Sequence, residues 1–348
     1  MLPYKKLVLS PDTYYYLSNA NLYIGELKGV LDTIPNLPIF LKLINVDEAK
    51  YSTEIEKITS THKNVFLRSI YKPFNDPDAL NINNYINASS IIYEDILKTK
   101  SINEKTLTMI QDIIVPDQSG FRKLPGLKIY NKYTNDVIHV PPQNENAISA
   151  FYDNLLEYIN SDDDVLDPLI KMAIIHYQFE CIHPYKDGTG RVGRILNVSY
   201  LVYKNRLTYP ILDLSKFLLE TQDQYFEILY KCHNDISYLE EFIIYILKAI
   251  TETAKYTINL IHQVNRLYNQ TNEQIKKQLP KIYSEQLVHH IYLFLITKND
   301  IFKQSLNLSR TTATKYLKLL VSHGFLEETK KGKETIYINV QLYNIFEK

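Results

Sequence analysis

The sequence predicts a mainly α-helical protein with one β-hairpin in its middle and a small helix-turn-helix module at its C-terminal end. Apolar residues recur at three- and four-residue spacing over residues 12–110 and again over 144–270, which is typical of amphipathic helices. The run LKIYNKYTNDVIHVPP (127–142) has two β-prone stretches around a polar turn and ends at two prolines, which predicts a hairpin. From about residue 282 the helical pattern returns and then changes to strand-like runs.

The composition gives no sign of a strongly basic nucleic-acid-binding protein, a zinc-finger protein or a membrane protein. Lys and Arg total 39, Asp and Glu also total 39, and the formal net charge of zero gives no global attraction to nucleic acid or anionic membranes. The two cysteines, Cys181 and Cys232, form no C-x-x-C pair, and no Cys/His cluster has zinc-site spacing. No signal pattern and no bilayer-spanning apolar run is evident, so we expect a cytoplasmic protein without a membrane partner.

Changes of pattern suggest three units. Residues 1–110 form the first and 111–265 the second, and a polar stretch between about residues 265 and 281 is interpreted as a linker. In the third unit, 282–348, SEQLVHHIYLFLIT predicts one helix and NDIFKQSLNLSRTTATKYLKLLVSHGF predicts helix, tight turn, helix. LEETKKGKETIYINV then predicts a hairpin with Gly332 at its tip. This order is typical of a winged helix-turn-helix.

The segment CIHPYKDGTGRVGR (181–194) has the residues of an anion site. Gly188, Thr189 and Gly190 precede the next helix, whose first amides have no partner within the helix and face outwards. The Thr189 hydroxyl is a candidate cap for that helix. Arg191 and Arg194 are three residues apart, so they share one helix face and form a candidate clamp for a polyphosphate.

Two further residues of this segment suggest catalysis. Asp187 is a candidate Mg²⁺ ligand, because one carboxylate together with phosphate oxygens is a common way to hold that ion. His183 is a candidate general base for a hydroxyl that attacks phosphorus. The set points to nucleotidyl or phosphoryl transfer, while the alternative is an ordinary glycine turn between two helices.

HPYKDGTGRVGR resembles the signature of the Fic family, H-[PF]-F-x-[DE]-G-N-G-R-x-x-R. Tyr185 replaces the usual Phe and Thr189 replaces the usual Asn. The preceding helix DPLIKMAIIHYQFECIHP, the hairpin at 128–142 and the stretches NLYIGELKG and NVDEAKYSTEIEKI also resemble this family. The resemblance covers about residues 15–260 and implies a Fic-type helical core with a β-hairpin flap that docks a target segment.

The resemblance also implies a function. Fic proteins mostly transfer AMP from ATP to a Ser, Thr or Tyr hydroxyl of a protein, using Mg²⁺. His183 would then be the catalytic base and Asp187 the metal ligand. The residues implied to contact the nucleotide are Glu56, Gly188, Thr189, Gly190, Arg191, Val192, Gly193, Arg194, Tyr225 and Asn234. Self-modification, removal of AMP, another nucleotide donor and a homodimer all stay open.

STEIEK (52–57) resembles the inhibitory pattern of the family, [ST]-x-x-x-E-[GN]. Ser52 and Glu56 match the pattern and Lys57 departs from it. A glutamate placed over the turn would pair bidentately with Arg194 and occupy the partner of the γ-phosphate. The alternative is that Glu56 is an ordinary solvated carboxylate.

Other residues support rival hypotheses. His176 and Glu180 with His183 lack a fourth metal ligand, and Cys181 at an apolar helix end is interpreted as a core residue. In the C-terminal unit the expected exposed face has Ser309, Arg310, Thr312, Thr314 and Lys315, with Lys330, Lys331 and Lys333 near the hairpin tip. Such a surface suits DNA, although winged helices also bind proteins or dimerise. The alternative function is therefore a DNA-binding transcriptional regulator with a nucleotide-sensing, catalytically weak Fic-like domain.

Overall fold

The computed structural model describes residues 2–4, 7–31, 33–34, 37–70, 75–116, 118, 120–130, 137–162, 165–332 and 334–346. The helices that precede the predicted hairpin are α1 (Pro11–Leu31), α2 (Leu37–Ile55), α3 (His62–Ile70), α4 (Pro77–Thr99) and α5 (Glu104–Ile114). The hairpin is β1 (Ile129–Tyr130) paired antiparallel with β2 (Val137–His139), in the register Ile129↔His139. Its turn, residues 131–136, lies outside the described residues.

The middle of the chain is helical again. Its helices are α6 (Glu145–Asn160), α7 (Pro168–Ile182), α8 (Thr189–Tyr203), α9 (Leu214–Glu220), α10 (Gln222–Asn234) and α11 (Leu239–Gln278), with a 3₁₀ turn at Ile236–Tyr238. Every side chain from Leu169 to Phe179 is buried, so α7 is the central helix, packed against α6, α8, α11 and α1. The predicted mainly α-helical class is confirmed.

Local sequence explains where α7 begins and ends. The Asp167 side chain accepts a hydrogen bond from Leu169 N (2.8 Å), and Pro168 fills a first-turn position that needs no amide hydrogen. The helix ends at His183, whose backbone is left-handed (φ 44°) and whose amide donates to Phe179 O (3.0 Å). Five residues later α8 starts behind Gly188, also left-handed (φ 83°).

The predicted linker is wrong, because α11 continues through it to Gln278. Polar residues dominate this stretch, but Thr271 and Ile275 are buried four residues apart on one helix face. The Thr271 hydroxyl lies 2.9 Å from the Tyr292 hydroxyl, and the Tyr268 ring packs against Tyr292 at 5.0 Å between centroids. The C-terminal module therefore packs on the end of α11, and the limits of the three units stay predictions.

The C-terminal module contains α12 (Glu285–Leu293), β3 (Ile296–Lys298), α13 (Asn299–Ser305), α14 (Arg310–Ser322), β4 (Glu327–Lys331), β5 (Glu334–Ile338) and α15 (Val340–Phe346). The strands form one antiparallel sheet in the order β3-β5-β4. The single helix predicted over SEQLVHHIYLFLIT is wrong after Leu293, where Ile296 pairs with Ile338 as a strand. Gly332 lies in the predicted hairpin turn with φ 60°. Assignment to the winged-helix class stays a prediction, and Lys333 lies outside the described residues.

Within the described residues, no helix combines the length and the apolar character needed to cross a membrane.

Candidate functional site

The loop between α7 and α8 is held from outside by Arg122, a buried residue that the sequence analysis missed. Arg122 Nε donates to His183 O (2.8 Å), and its Nη2 donates to Pro142 O and to Ile182 O (3.4 Å). These bonds tie the loop to the base of the hairpin and hold His183 in its left-handed conformation, which costs a non-glycine residue about 1–2 kcal/mol. An arginine outside the motif gives no sequence signal for such a role.

The His183 side chain is suited to accept a proton. Its Nδ1 is buried and has no hydrogen-bond partner in the described part of the chain. Burial, and secondarily the charge of Arg122, lowers the pKa of His183 to about 4, so the imidazole is neutral at neutral pH. A neutral ring with an unpaired nitrogen beside an anion-binding turn can act as a general base.

The turn at Gly188 and Gly190 has no room for side chains. A Cβ on Gly188 would lie 2.9 Å from Val115 Cγ2 and would also require a positive φ. A Cβ on Gly190 would lie 2.6 Å from Glu56 Oε1. The first amides of α8 therefore lie behind a bare backbone surface that an anion can approach closely.

Thr189 does not cap α8, in contrast to the expectation from the sequence. It is the first helical residue, and the cap position belongs to Gly188. The buried Thr189 hydroxyl bonds back to Tyr185, accepting from its amide (3.2 Å) and donating to its carbonyl (3.3 Å). Thr189 therefore closes the loop between α7 and α8 on itself, and an amide side chain is not needed for that task.

Asp187 and Arg191 form an ion pair at the mouth of the turn. Asp187 Oδ1 lies 2.9 Å from Arg191 Nη2 and accepts from Gly188 N (2.6 Å). Arg191 is buried and its Nε has no partner among the described residues, whereas the Asp187 side chain is 52% exposed. The second Asp187 oxygen faces no donor from the described residues, so the carboxylate fits a hard cation such as Mg²⁺.

Val192 and Gly193 lie on the inner side of α8. Val192 is fully buried and its amide donates to Gly188 O (2.9 Å) inside the helix. A Cβ on Gly193 would lie 2.9 Å from Glu180 Oε1 and 3.1 Å from Phe179 Cδ1. The Gly193 position therefore packs α8 closely against α7.

Arg194 is bound to the segment that the sequence analysis compared with the inhibitory pattern. Its Nε donates to Ser52 Oγ (2.7 Å), and its Nη2 donates to Ser52 O (2.8 Å) and to Glu56 Oε1 (2.9 Å). The Arg194 side chain is 3% exposed, whereas that of Glu56 is 39% exposed. The predicted pairing of Glu56 with Arg194 is present as one charge-assisted bond, not as the bidentate contact expected from the sequence.

Glu56 is placed by the end of α2. It lies in the turn just after Ile55, and Ile58 N donates to Thr53 O (3.0 Å) across that turn. Lys57 has φ 63°, the left-handed conformation that favours Gly or Asn. This geometry gives a physical reason for the family pattern that Lys57 breaks.

Buried carboxyl groups anchor α2 to its neighbours. Glu48 accepts from the Tyr85 hydroxyl on α4 (2.9 Å) and from Ser215 N on α9 (2.9 Å). Asp47 Oδ1 lies 2.5 Å from His62 Nε2. Burial raises the pKa of Glu48, against the opposing hydrogen bonds from Ser215. These contacts fix the helix that places Ser52 and Glu56.

Tyr225 and Asn234 do not reach the turn. Tyr225 is buried and its hydroxyl lies 2.9 Å from His176 Nε2, while Asn197 Nδ2 donates to His176 Nδ1 (3.0 Å). Burial, and then the charge of Arg194, lowers the pKa of His176 to about 3, so this ring is neutral in the core. Asn234 is exposed at the end of α10, where its amide donates to Tyr230 O (2.9 Å).

One cluster next to this site was not predicted. His139, Cys181 and His233 meet at the base of the hairpin, although they are far apart in sequence. Their spacing matches no zinc motif, so only the fold brings them together.

Family models match the parts of the chain that form this site. The Fic/DOC family model matches residues 101–201, and the model of the Fic/DOC family N-terminal region matches residues 14–91. Together these two models cover more than half of the chain. A third model, described as the C-terminal domain of SoFic-like protein adenylyltransferase, matches residues 267–342.

Among relatives, a probable protein adenylyltransferase of Aquifex aeolicus (strain VF5) is 24% identical over 319 residues, 88% of each chain. The protein adenylyltransferase Fic of Nematostella vectensis is 35% identical over 104 residues, 28% of this chain and 22% of that protein.

Solved structures share the fold. A Fic family protein from Desulfovibrio desulfuricans G20 superposes with a TM-score of 0.62 at 18% identity, covering 95% of this chain and 97% of that one. A Fic-domain signaling protein from Bacteroides thetaiotaomicron VPI-5482 gives 0.57 at 18% identity, covering 70% and 97%. With the helical core, the hairpin and the turn in place, the chain belongs to the Fic/DOC family.

Proposed function

We propose that this chain is a protein adenylyltransferase that transfers AMP from ATP to a Ser, Thr or Tyr hydroxyl of a protein and is held inactive by Glu56. The observation behind this proposal is the Arg194 contact, in which one buried guanidinium next to the glycine turn is bound by Ser52 and Glu56. Relatives named protein adenylyltransferase support the class of reaction.

Each part of the site has a role in this proposal. His183 takes the proton of the attacking hydroxyl while the new oxygen–phosphorus bond forms at the α-phosphate and pyrophosphate leaves. The turn at Gly188 and Gly190 and the Arg191 side chain hold the phosphates. Asp187 would hold Mg²⁺, which when bound neutralises phosphate charge.

Glu56 acts by competition in the same proposal. Its carboxylate accepts a hydrogen bond from Arg194 Nη2, and its Oε1 would lie 2.6 Å from a Cβ on Gly190, so it covers the turn. A γ-phosphate that needs Arg194 must displace it and also meets its negative charge. A charge-assisted hydrogen bond of this kind contributes about 1.5–3 kcal/mol, which corresponds to an inhibition of roughly 10- to 150-fold.

Intact-mass spectrometry after incubation with Mg²⁺ and ATP tests the proposal. Three proteins are compared: the wild type, Glu56→Gly, and Glu56→Gly with His183→Ala. We expect a mass gain of one or more AMP groups on the chain itself or on an added protein extract with Glu56→Gly, and no gain when His183 is also replaced. Transfer that persists without His183 would contradict the assigned base.

A second function is favoured by the surface of α14. Arg310, Lys315 and Lys318 are exposed along one groove of this helix, together with Thr311. Such a surface suits a DNA backbone, with the chain acting as a regulator. Binding to duplex DNA that weakens with salt and is lost in Arg310→Ala would support it, and binding unaffected by that change would contradict it.

A further inference from the structure

A compact group of metal-binding side chains lies at the base of the hairpin. His139 belongs to β2, Cys181 to the last turn of α7, and His233 to the last turn of α10. One ligand atom from each residue can be chosen so that all three lie within 4.8 Å of one another. All three side chains are half-buried. We call this group the His139 cluster.

We propose that the His139 cluster binds a divalent transition-metal ion, with Zn²⁺ as the ion that best suits a ligand set of one thiolate and two imidazoles. Cys181 Sγ lies 3.5 Å from His233 Nδ1. In a tetrahedral site with Zn–S of about 2.3 Å and Zn–N of about 2.1 Å, the two ligand atoms are about 3.6 Å apart. Cys181 Sγ and His233 Nδ1 are therefore already as far apart as two ligands of one zinc ion.

The third ligand reaches the ion after a local change. His139 Nε2 lies 2.8 Å from Cys181 O, and its ring is stacked on His233 at 3.9 Å with 11° between the planes. Two stacked rings cannot both direct in-plane lone pairs at one ion, so His139 must rotate out of the stack and give up the carbonyl. His139 belongs to the described two-stranded hairpin and not to a helix of the core.

The groups around the His139 cluster are compatible with an ion held by three protein ligands, with a fourth position left for a non-protein ligand. The charge of Arg122 acts on His139 and opposes a cation, while the Cys181 thiolate formed on binding offsets that charge. The Tyr177 ring packs beside the His233 ring, with 5.5 Å between their centroids. No carboxylate belongs to the cluster in the described residues, so the set favours zinc over Mg²⁺ or Ca²⁺.

Metal binding would join three elements that meet beside His183, two residues after Cys181. The ion would fix the hairpin to the ends of α7 and α10. If the hairpin docks a target segment, which rests on the proposed function, zinc would restrain that docking. The metal-binding measurement below uses no activity, so failure of the proposed function would leave its result unchanged.

Cobalt titration of the full chain, prepared without a histidine tag, tests the site. Thiolate-bound Co²⁺ gives a sulfur-to-metal charge-transfer absorption band, and Zn²⁺ displaces it. We expect a band that saturates at one Co²⁺ per chain in the wild type and disappears in Cys181→Ser. His139→Gln and His233→Gln should each weaken zinc binding at least tenfold, whereas His262→Gln, an exposed residue on α11, should leave it unchanged.

Absence of the band in the wild type, or equal binding by the wild type and folded Cys181→Ser, would overturn the proposal. Circular dichroism establishes which variants fold. If Cys181→Ser does not fold, Cys232→Ser provides the second measurement, because Cys232 is the other cysteine of the sequence and is buried. A band that survives in Cys232→Ser supports the site, and a band that disappears there overturns it.

Discussion

The loop from His183 to Arg191 and the proposed brake, Ser52 and Glu56, lie on either side of Arg194, and they are built in different ways. The loop is contiguous in sequence, and the side chains of Thr189 and Asp187 bond to residues no more than four positions away. The brake joins residues 138 positions apart through one buried guanidinium. The comparison teaches that local side-chain bonds close the loop and Arg122 supports it from outside, whereas the proposed brake depends entirely on how α2 packs against α8.

The loop and the proposed brake also differ in how many hydrogen bonds hold each of them. The loop is closed by several buried hydrogen bonds, so its geometry persists whether or not the brake is engaged. The carboxylate of Glu56 is partly exposed and makes one contact with Arg194, so it can leave without disrupting the core. Changes in the loop should therefore affect folding and catalysis together, while changes in the brake should affect activity with little loss of stability.

The largest effect is expected for Arg122→Met, which breaks the support of the loop. The variant leaves the carbonyls of Ile182 and His183 without their donor, and charged hydrogen bonds of this kind contribute about 1.5–3 kcal/mol each. We expect the free energy of unfolding to fall by about 3 kcal/mol in urea denaturation. Arg122→Lys keeps the positive charge but loses the several donors of the guanidinium, so its loss of stability should be intermediate. A loss below about 1 kcal/mol for Arg122→Met would contradict the role of Arg122 in supporting the loop.

Thr189→Val should have the next largest effect, because it leaves the Tyr185 amide and carbonyl buried without their partner. We expect a loss of about 2 kcal/mol in unfolding free energy. The matched control is Thr189→Ser, which keeps the hydroxyl and should stay close to the wild type. If Ser and Val destabilise equally, the hydroxyl does not close the loop.

Lys57→Gly should have the smallest effect and the opposite sign. Glycine removes the cost of the left-handed backbone at φ 63°, so the turn that presents Glu56 should be stabilised by about 1 kcal/mol. Residual transfer by the otherwise wild-type chain should fall several-fold in a rate assay with labelled ATP. Lys57→Ala removes the same side chain without relieving the backbone, so equal rates for Ala and Gly would refute the explanation.

Sequence reasoning was most successful where structure is local. The hairpin and the glycine turn followed from short runs of residues, and the Glu56 contact followed from the family resemblance. The helix beyond residue 270, up to Gln278, was missed because its buried face has few apolar residues and because Tyr292, which bonds to Thr271, lies beyond the helix in the sequence. Arg122 and the His139 cluster were missed for the same reason, since only tertiary packing brings their partners together.

The most direct test of the account compares AMP-transfer rates of the wild type, Glu56→Gly and Glu54→Gly under identical Mg²⁺ and ATP concentrations. Glu54 is the matched control, because it lies two residues away on α2 and pairs with Lys50 (3.3 Å) instead of Arg194. The account predicts a rise of at least roughly tenfold for Glu56→Gly and no change for Glu54→Gly. Equal rates in all three proteins, or an equal rise in both variants, would contradict the claim that the Glu56–Arg194 contact is the brake.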